Sequence, residues 1–226
     1  MHMTSKERIQ IFIDGGNFHH LVLRKLQTQE AGFNFEGFIN FLANGREIAE
    51  EGKRFYVGTV RERPGDPRSK NAMARQTSFF ATLKSTGWEI KTSKLRTRME
   101  KIVIDERVVG YQDILKKGIR EVEFERTREK GIDVKLATDM VVGAVDDKYD
   151  TAILVSSDGD LIPAVDWIRK RKRKKIEYIG FSIIDSFSRS NDARPVQGLI
   201  TNSDIQRILV ATDLQKFIIP GSKTLI

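Results

Sequence analysis

The sequence predicts an α/β fold, a parallel sheet covered by helices on both faces in three α/β/α layers. Three observations predict it. Short runs of branched apolar residues alternate along the chain with segments of helical apolar spacing. Two of the strand-like runs, "IFIDGGN" and "AILVSSDGD", end in turns that carry carboxylates. No repeat or low-complexity linker interrupts the alternation, so the chain reads as one domain over residues 1–226.

The elements follow in order. Ile9, Ile11 and Ile13 alternate with Gln10 and Phe12, and Asp14-Gly15-Gly16-Asn17 breaks the strand. Helical spacing follows at Phe18, Leu21, Val22 and Leu26. A second helix is predicted over 34–49, with Phe35, Phe38, Ile39 and Leu42 on one face. "KRFYVGTV" reads as a short strand and "RERPGDPRSKN" as a basic loop punctuated by Pro and Gly. Phe79, Phe80 and Leu83 mark a helix before a strand in "GWEIKTSKL". Residues around 91–128 mix short apolar runs with dense charge and read as a basic, hairpin-like excursion. Beyond them, Ala137, Met140, Val141, Ala144 and Val145 give a helix whose first turn starts near Asp133. "TAILVSS" is a strand, a helix starts near Asp160, and "KIEYIGF" is the next strand. Residues 200–218 read as helical, with Asp204 as a cap.

Composition narrows the chemistry. Hydrophobic residues make up 39% of the 226, which fits a globular domain. No apolar stretch approaches the roughly 20 residues that span a bilayer, and "MHMTSKER" holds no apolar signal region. The expectation is a cytoplasmic protein without a membrane partner. The chain has no cysteine, which excludes disulfides and thiolate metal sites and agrees with a reducing compartment. Three histidines argue against a histidine-rich zinc site, so any metal would be a hard cation on oxygen ligands, Mg²⁺ or Mn²⁺. Lys and Arg number 39 against 31 acids, a formal charge of +8 that favours polyanions such as nucleic acid or simply serves solubility.

In a parallel sheet, functional residues gather where strands deliver their carboxyl ends. Asp14 closes one strand, Asp158 and Asp160 close another, and Asp133 opens the helix before the second. Each has a bland alternative. Asp14 could belong to a simple turn, and Asp133 and Asp160 could cap helices at about 0.5–2 kcal/mol each. Asp158, between Ser157 and Gly159, has no evident local role. Four acids at one edge would repel and raise one another's pKa, and a divalent cation relieves that repulsion. Asp139 lies six residues after Asp133, off its helical face, and is read as supporting the site through a basic side chain or a metal-bound water.

"FIDGGN", "EKGIDVKLATDM" and "YDTAILVSSDGDL" together resemble the three signatures of the NYN domain group (LabA-like), within the PIN-like nuclease superfamily. The resemblance spans residues 9–17 and 129–181, and "RILVATDLQKFI" is similar to the helix that often follows. It implies a Rossmann-like parallel α/β sheet and a metal-dependent ribonuclease. On that resemblance Asp14, Asp133, Asp158 and Asp160 form the catalytic, metal-binding site, with Asn17 and Asp139 in support; the hydroxyl of Ser157 could bond a phosphate or a metal-bound water. A homodimer or a pairing with an inhibitor protein is also known among PIN-like proteins.

RNA must reach an acidic pocket. Arg61, Arg63, Arg68 and Lys70 in the basic loop, and Lys91, Lys94, Arg96 and Arg98 beyond it, could line the approach, or form a solvated surface. The run Arg169 to Lys175 should fall at the opposite edge of the sheet. Two competing readings stand beside the nuclease. One is a regulatory module that binds RNA or a nucleotide at the same metal site without turnover, and the other is a phosphatase.

Overall fold

The structure is a computed structural model that describes residues 6–63, 65–94, 96–128, 131–185 and 192–222. Its centre is a six-stranded sheet in the order β3-β2-β1-β6-β7-β8, and every neighbouring pair is parallel. The strands are β1 (Arg8–Asp14), β2 (Glu47–Thr59), β3 (Glu89–Lys94), β6 (Thr151–Val155), β7 (Lys175–Ser182) and β8 (Ile205–Val210). Because β1 and β6 are fully buried on both faces, they read as near-continuous apolar runs.

Two apolar layers cover the sheet. Ile9, Ile11 and Ile13 point to one face and pack with α2 (Phe35–Ala43), α3 (Pro67–Ser85) and Leu214 of α8 (Ala211–Gln215). Phe12, Ala152 and Leu154 point to the other and pack with α5 (Ile132–Val145), α6 (Ile162–Trp167) and Leu199 of α7 (Gln197–Thr201). The period-two alternation of β1 thus feeds both layers. Strand order reverses direction at the β1–β6 pair, which makes its carboxyl end the topological switch point of the sheet.

Between β3 and α5 the chain forms an antiparallel ribbon. β4 (Arg96–Val103) pairs with β5 (Glu121–Arg128), with the short α4 (Tyr111–Lys116) between them. Arg63 ties the loop after β2 to this ribbon through Glu125 at 3.1 Å and Thr97 at 3.3 Å. Among the described residues no helix is long and apolar enough to cross a membrane.

Three element boundaries differ from the sequence reading. The helix expected over 34–49 stops at Ala43, where Asn44 turns left-handed with φ 49°, and Glu47 onward pairs with β1. The basic loop is shorter than expected, because the Asp66 side chain accepts from the backbone N–H of Arg68 and Pro67 opens α3. The segment read as one helix over 200–218 splits into the end of α7, the edge strand β8 and α8. Asp204 caps no helix there. It accepts from the backbone N–H of Ile176 at 2.9 Å and from the Arg169 guanidinium at 2.7 Å, pinning the start of β7.

Candidate active site at the carboxyl edge of the sheet

β1 ends in Asp14, whose carboxylate is almost wholly buried. Its Oδ1 accepts from the backbone N–H of Asn17 at 3.0 Å, which caps the short α1 (Gly15–Phe18). Its Oδ2 accepts from Asn17 Nδ2 at 2.5 Å and from the Ser156 hydroxyl at 3.0 Å. The glycine that follows is required by close approach, since a Cβ on Gly15 would stand 2.5 Å from the Phe55 ring and 2.9 Å from the Tyr56 carbonyl.

On the adjacent strand, Ser156 lies one residue past β6 and is fully buried. Its Oγ donates to Asp14 and also accepts from the backbone N–H of Asp158 at 3.1 Å. One hydroxyl therefore joins the ends of β1 and β6. Asp158 does have a local role, contrary to the sequence reading. Its Oδ1 accepts from the Asp160 N–H at 2.8 Å and caps the turn Gly159–Leu161 that leads into α6. Asp160 sits exposed in that turn as a first-turn acid and does not act as the cap.

Asp133 enters from α5, one residue into the helix whose N-cap is Gly131 in a left-handed conformation. The helix start is held to the sheet by Lys135 Nζ, which donates to the Thr92 carbonyl of β3 at 2.6 Å. Asp139 is placed elsewhere. It accepts from the Tyr56 hydroxyl at 2.8 Å and pairs with Arg54 at 3.4 Å, fixing α5 against β2.

The electrostatics show that the acids share one field. Burial raises the pKa of Asp14, its bonds to Asn17 and Ser156 lower it, and the charge of Asp158 raises it again. Asp133 is raised by its own burial and then by Asp14, Asp158 and Asp160. His20, on the turn after α1, is lowered by burial and by His19 and Arg24, against the pull of Asp14.

The donor set is oxygen throughout, which suits a hard cation. Even so, among the described residues no group of three or more His, Cys, Asp or Glu side chains is arranged as a ready cage for a metal ion. A cation that keeps most of its water needs only one or two carboxylates, and these residues can supply those.

The basic residues emerge near the same edge. Arg61, Arg63, Arg68, Lys70, Lys94 and Arg98 are exposed. Arg63 is engaged with the ribbon, and Lys91 pairs with Glu89 at 3.3 Å. The side chain of Arg96 lies outside the described residues. The run Arg169 to Lys175 is at the amino edge, where Arg169, Lys170 and Lys174 are paired with Asp204, Asp166 and Asp147.

One residue of the cluster, Ser156, escaped the sequence reading. Ser156 and Ser157 are adjacent, and it is the Ser156 hydroxyl that bonds Asp14, while the Ser157 hydroxyl is buried with no bond among the described residues. Strand alternation could have told them apart, because 152, 154 and 156 share one direction.

The family comparison decides the identity. The family model described as "NYN domain" matches residues 8–196, most of the chain. The chain belongs to the NYN domain family. It therefore carries a nuclease-type domain of the PIN-like group. A solved structure of a protein of unknown function from Vibrio parahaemolyticus RIMD 2210633 is similar, with TM-score 0.54 and 20% identity. That likeness covers 92% of this chain and 96% of the other, and it shows the shared α/β fold. No curated protein matches the chain.

Proposed function

We propose that this NYN domain is a metal-dependent ribonuclease that hydrolyses phosphodiester bonds at the carboxyl edge of the sheet. The observation that carries the reading is Asp14: a buried carboxylate at the switch point, joined through Ser156 to Asp158 and sharing its field with Asp133. A structural carboxylate at that depth would be paired with a base, as Glu177 is with Arg46 and Arg207. Here neighbouring acids raise the cost of ionisation.

Asp14 and Asp158 would hold Mg²⁺ or Mn²⁺, with Asp133 and Asp160 receiving its waters. When bound, such an ion lowers the pKa of a coordinated water and neutralises phosphate charge. The chain's own residues set the stage. Ser156 and Asn17 fix the orientation of the Asp14 carboxylate. Arg61, Arg68, Lys70, Lys94 and Arg98 draw the RNA backbone toward the edge.

The alternative is a module that binds RNA or a nucleotide at the same metal site without turnover. Cleavage of end-labelled single-stranded RNA with and without Mn²⁺ or Mg²⁺ separates the two. The nuclease reading expects metal-dependent products that Asp158→Asn abolishes. Binding without products in either metal would put the binding module in its place.

A further inference from the structure

Beside Asp14, on the α2–α3 face of the sheet, lies a cavity of about 530 Å³ that the acid cluster does not use. Its walls run from Gly15 past Phe55 to Phe79 and Phe80 on α3, with Glu30, Glu36 and Arg75 as charged lining groups. Its size is that of a small-molecule site, and it mixes aromatic walls with a few polar groups. Gly15 is both the residue after Asp14 and part of the wall, so the cavity and the acids share a boundary.

The polar groups on the wall are not equivalent. Gln76 is consumed by Val60 N–H and the Gly58 carbonyl, and Glu36 by Lys53 and Trp88. Glu30 keeps capacity: its Oε1 meets His19 Nδ1 at 2.7 Å and its own backbone N–H bonds the carboxylate, which leaves acceptor sites over. Burial works against its ionisation, but the bonds to His19 and to its own backbone N–H, helped by the charge of Arg75, outweigh burial and hold its pKa below the ordinary value. An ionised carboxylate accepts hydrogen bonds and donates none. Among RNA bases, guanine alone presents a ring N–H and an amino group side by side to such an acceptor. The aromatic walls and the exposed Arg75 suit stacking on a base.

We infer that this cavity is a base-recognition pocket that takes a guanine of the RNA next to the phosphate held at the acid site, with Glu30 reading its Watson–Crick edge. The inference rests on the ribonuclease reading for its substrate, and its test does not.

Trp88 reports on the pocket, because its ring packs against Phe35 at 6.0 Å and Phe55 at 6.3 Å between centroids, and both rings line the cavity. The only other tryptophan is the partly exposed Trp167. In the full chain carrying Trp167→Phe, the emission of Trp88 is titrated with GMP, AMP, CMP and UMP. The expected result is a saturable change with GMP at about tenfold or greater preference over the others, the discrimination a bidentate contact gives. Adding Glu30→Gln should remove the preference, and Ala72→Phe, which fills the cavity from α3, should abolish the response. No response to any nucleotide, or equal responses to all four, overturns the pocket. Mapping cleavage of a random-sequence RNA gives an independent readout, with cuts expected beside guanosine and the bias lost in Glu30→Gln. Cleavage without base preference and without a GMP response would sink the pocket and leave the nuclease reading standing. A GMP response in a protein that cuts no RNA would do the reverse.

Discussion

The two edges of one sheet treat carboxylates in opposite ways. At the amino edge, Asp150 accepts from Arg8 at 2.9 Å and Asp147 bonds both Arg8 and Lys174. Asp204 holds Arg169, and the buried Glu177, on the amino half of β7, lies between Arg46 at 2.7 Å and Arg207 at 3.1 Å. The bond to Arg8 brings the pKa of Asp150 down to about 2. At the carboxyl edge, Asp14 and Asp133 have no basic partner among the described residues and are pushed the other way. Paired acids lock β1, β6, β7 and β8 in register; unpaired ones are left with capacity for a ligand. The contrast teaches where this fold spends its charges on stability and where on chemistry.

Breaking the amino-edge locks should cost stability and leave the acid site intact. Glu177→Ala leaves two guanidinium groups without their buried partner, and the expected loss is about 3–5 kcal/mol in urea unfolding. Breaking the carboxyl edge should do the reverse. Asp14→Asn is expected to reduce RNA cleavage by at least about 100-fold with the fold retained by circular dichroism. Ser156→Ala sharpens the comparison, because it removes only the hydroxyl that joins β1 to β6. Activity should fall about 10–100-fold, as for loss of a residue that orients a ligand, with about 1–3 kcal/mol of stability lost.

The smallest effects test the signs. Asp150 is lowered in the folded state, so its contribution is present above the ordinary carboxylate pKa and is lost as pH falls toward about 2. Asp150→Asn should therefore cost about 1 kcal/mol at pH 7, little because the pair is partly solvated, and the difference should close as pH falls through about 2. Asp133 is raised, so its charge opposes folding once pH rises through its folded pKa. Asp133→Asn should raise Tm slightly at pH 7 while impairing cleavage, and the gain should vanish in acid. An equal Tm at both pH values would contradict the shared field.

Much of this was legible in the chain. The alternation of Ile9, Ile11 and Ile13 with Phe12 specified a strand buried on two faces, and the parallel order placed Asp14 and Asp158 at one edge. What stayed hidden depended on long-range pairing. Ile205, Ile208 and Leu209 fit a helical spacing as well as a strand, and only hydrogen bonding to β7 decides. The end of α2 was hidden because "EIAEE" has good helix formers and joins the sheet only through β1. Asp158 was misread because a cap needs the turn that follows it, and Gly159 gave no periodic signal.

The claim that the unpaired acids of the carboxyl edge await a divalent cation is tested most directly by thermal unfolding at pH 7 across a Mn²⁺ titration, wild type against Asp14→Asn. Binding to the folded state raises Tm with the logarithm of free metal above its Kd. The account predicts that rise in the wild type and none in the variant. A wild-type Tm indifferent to Mn²⁺, or an equal rise in both proteins, would contradict it.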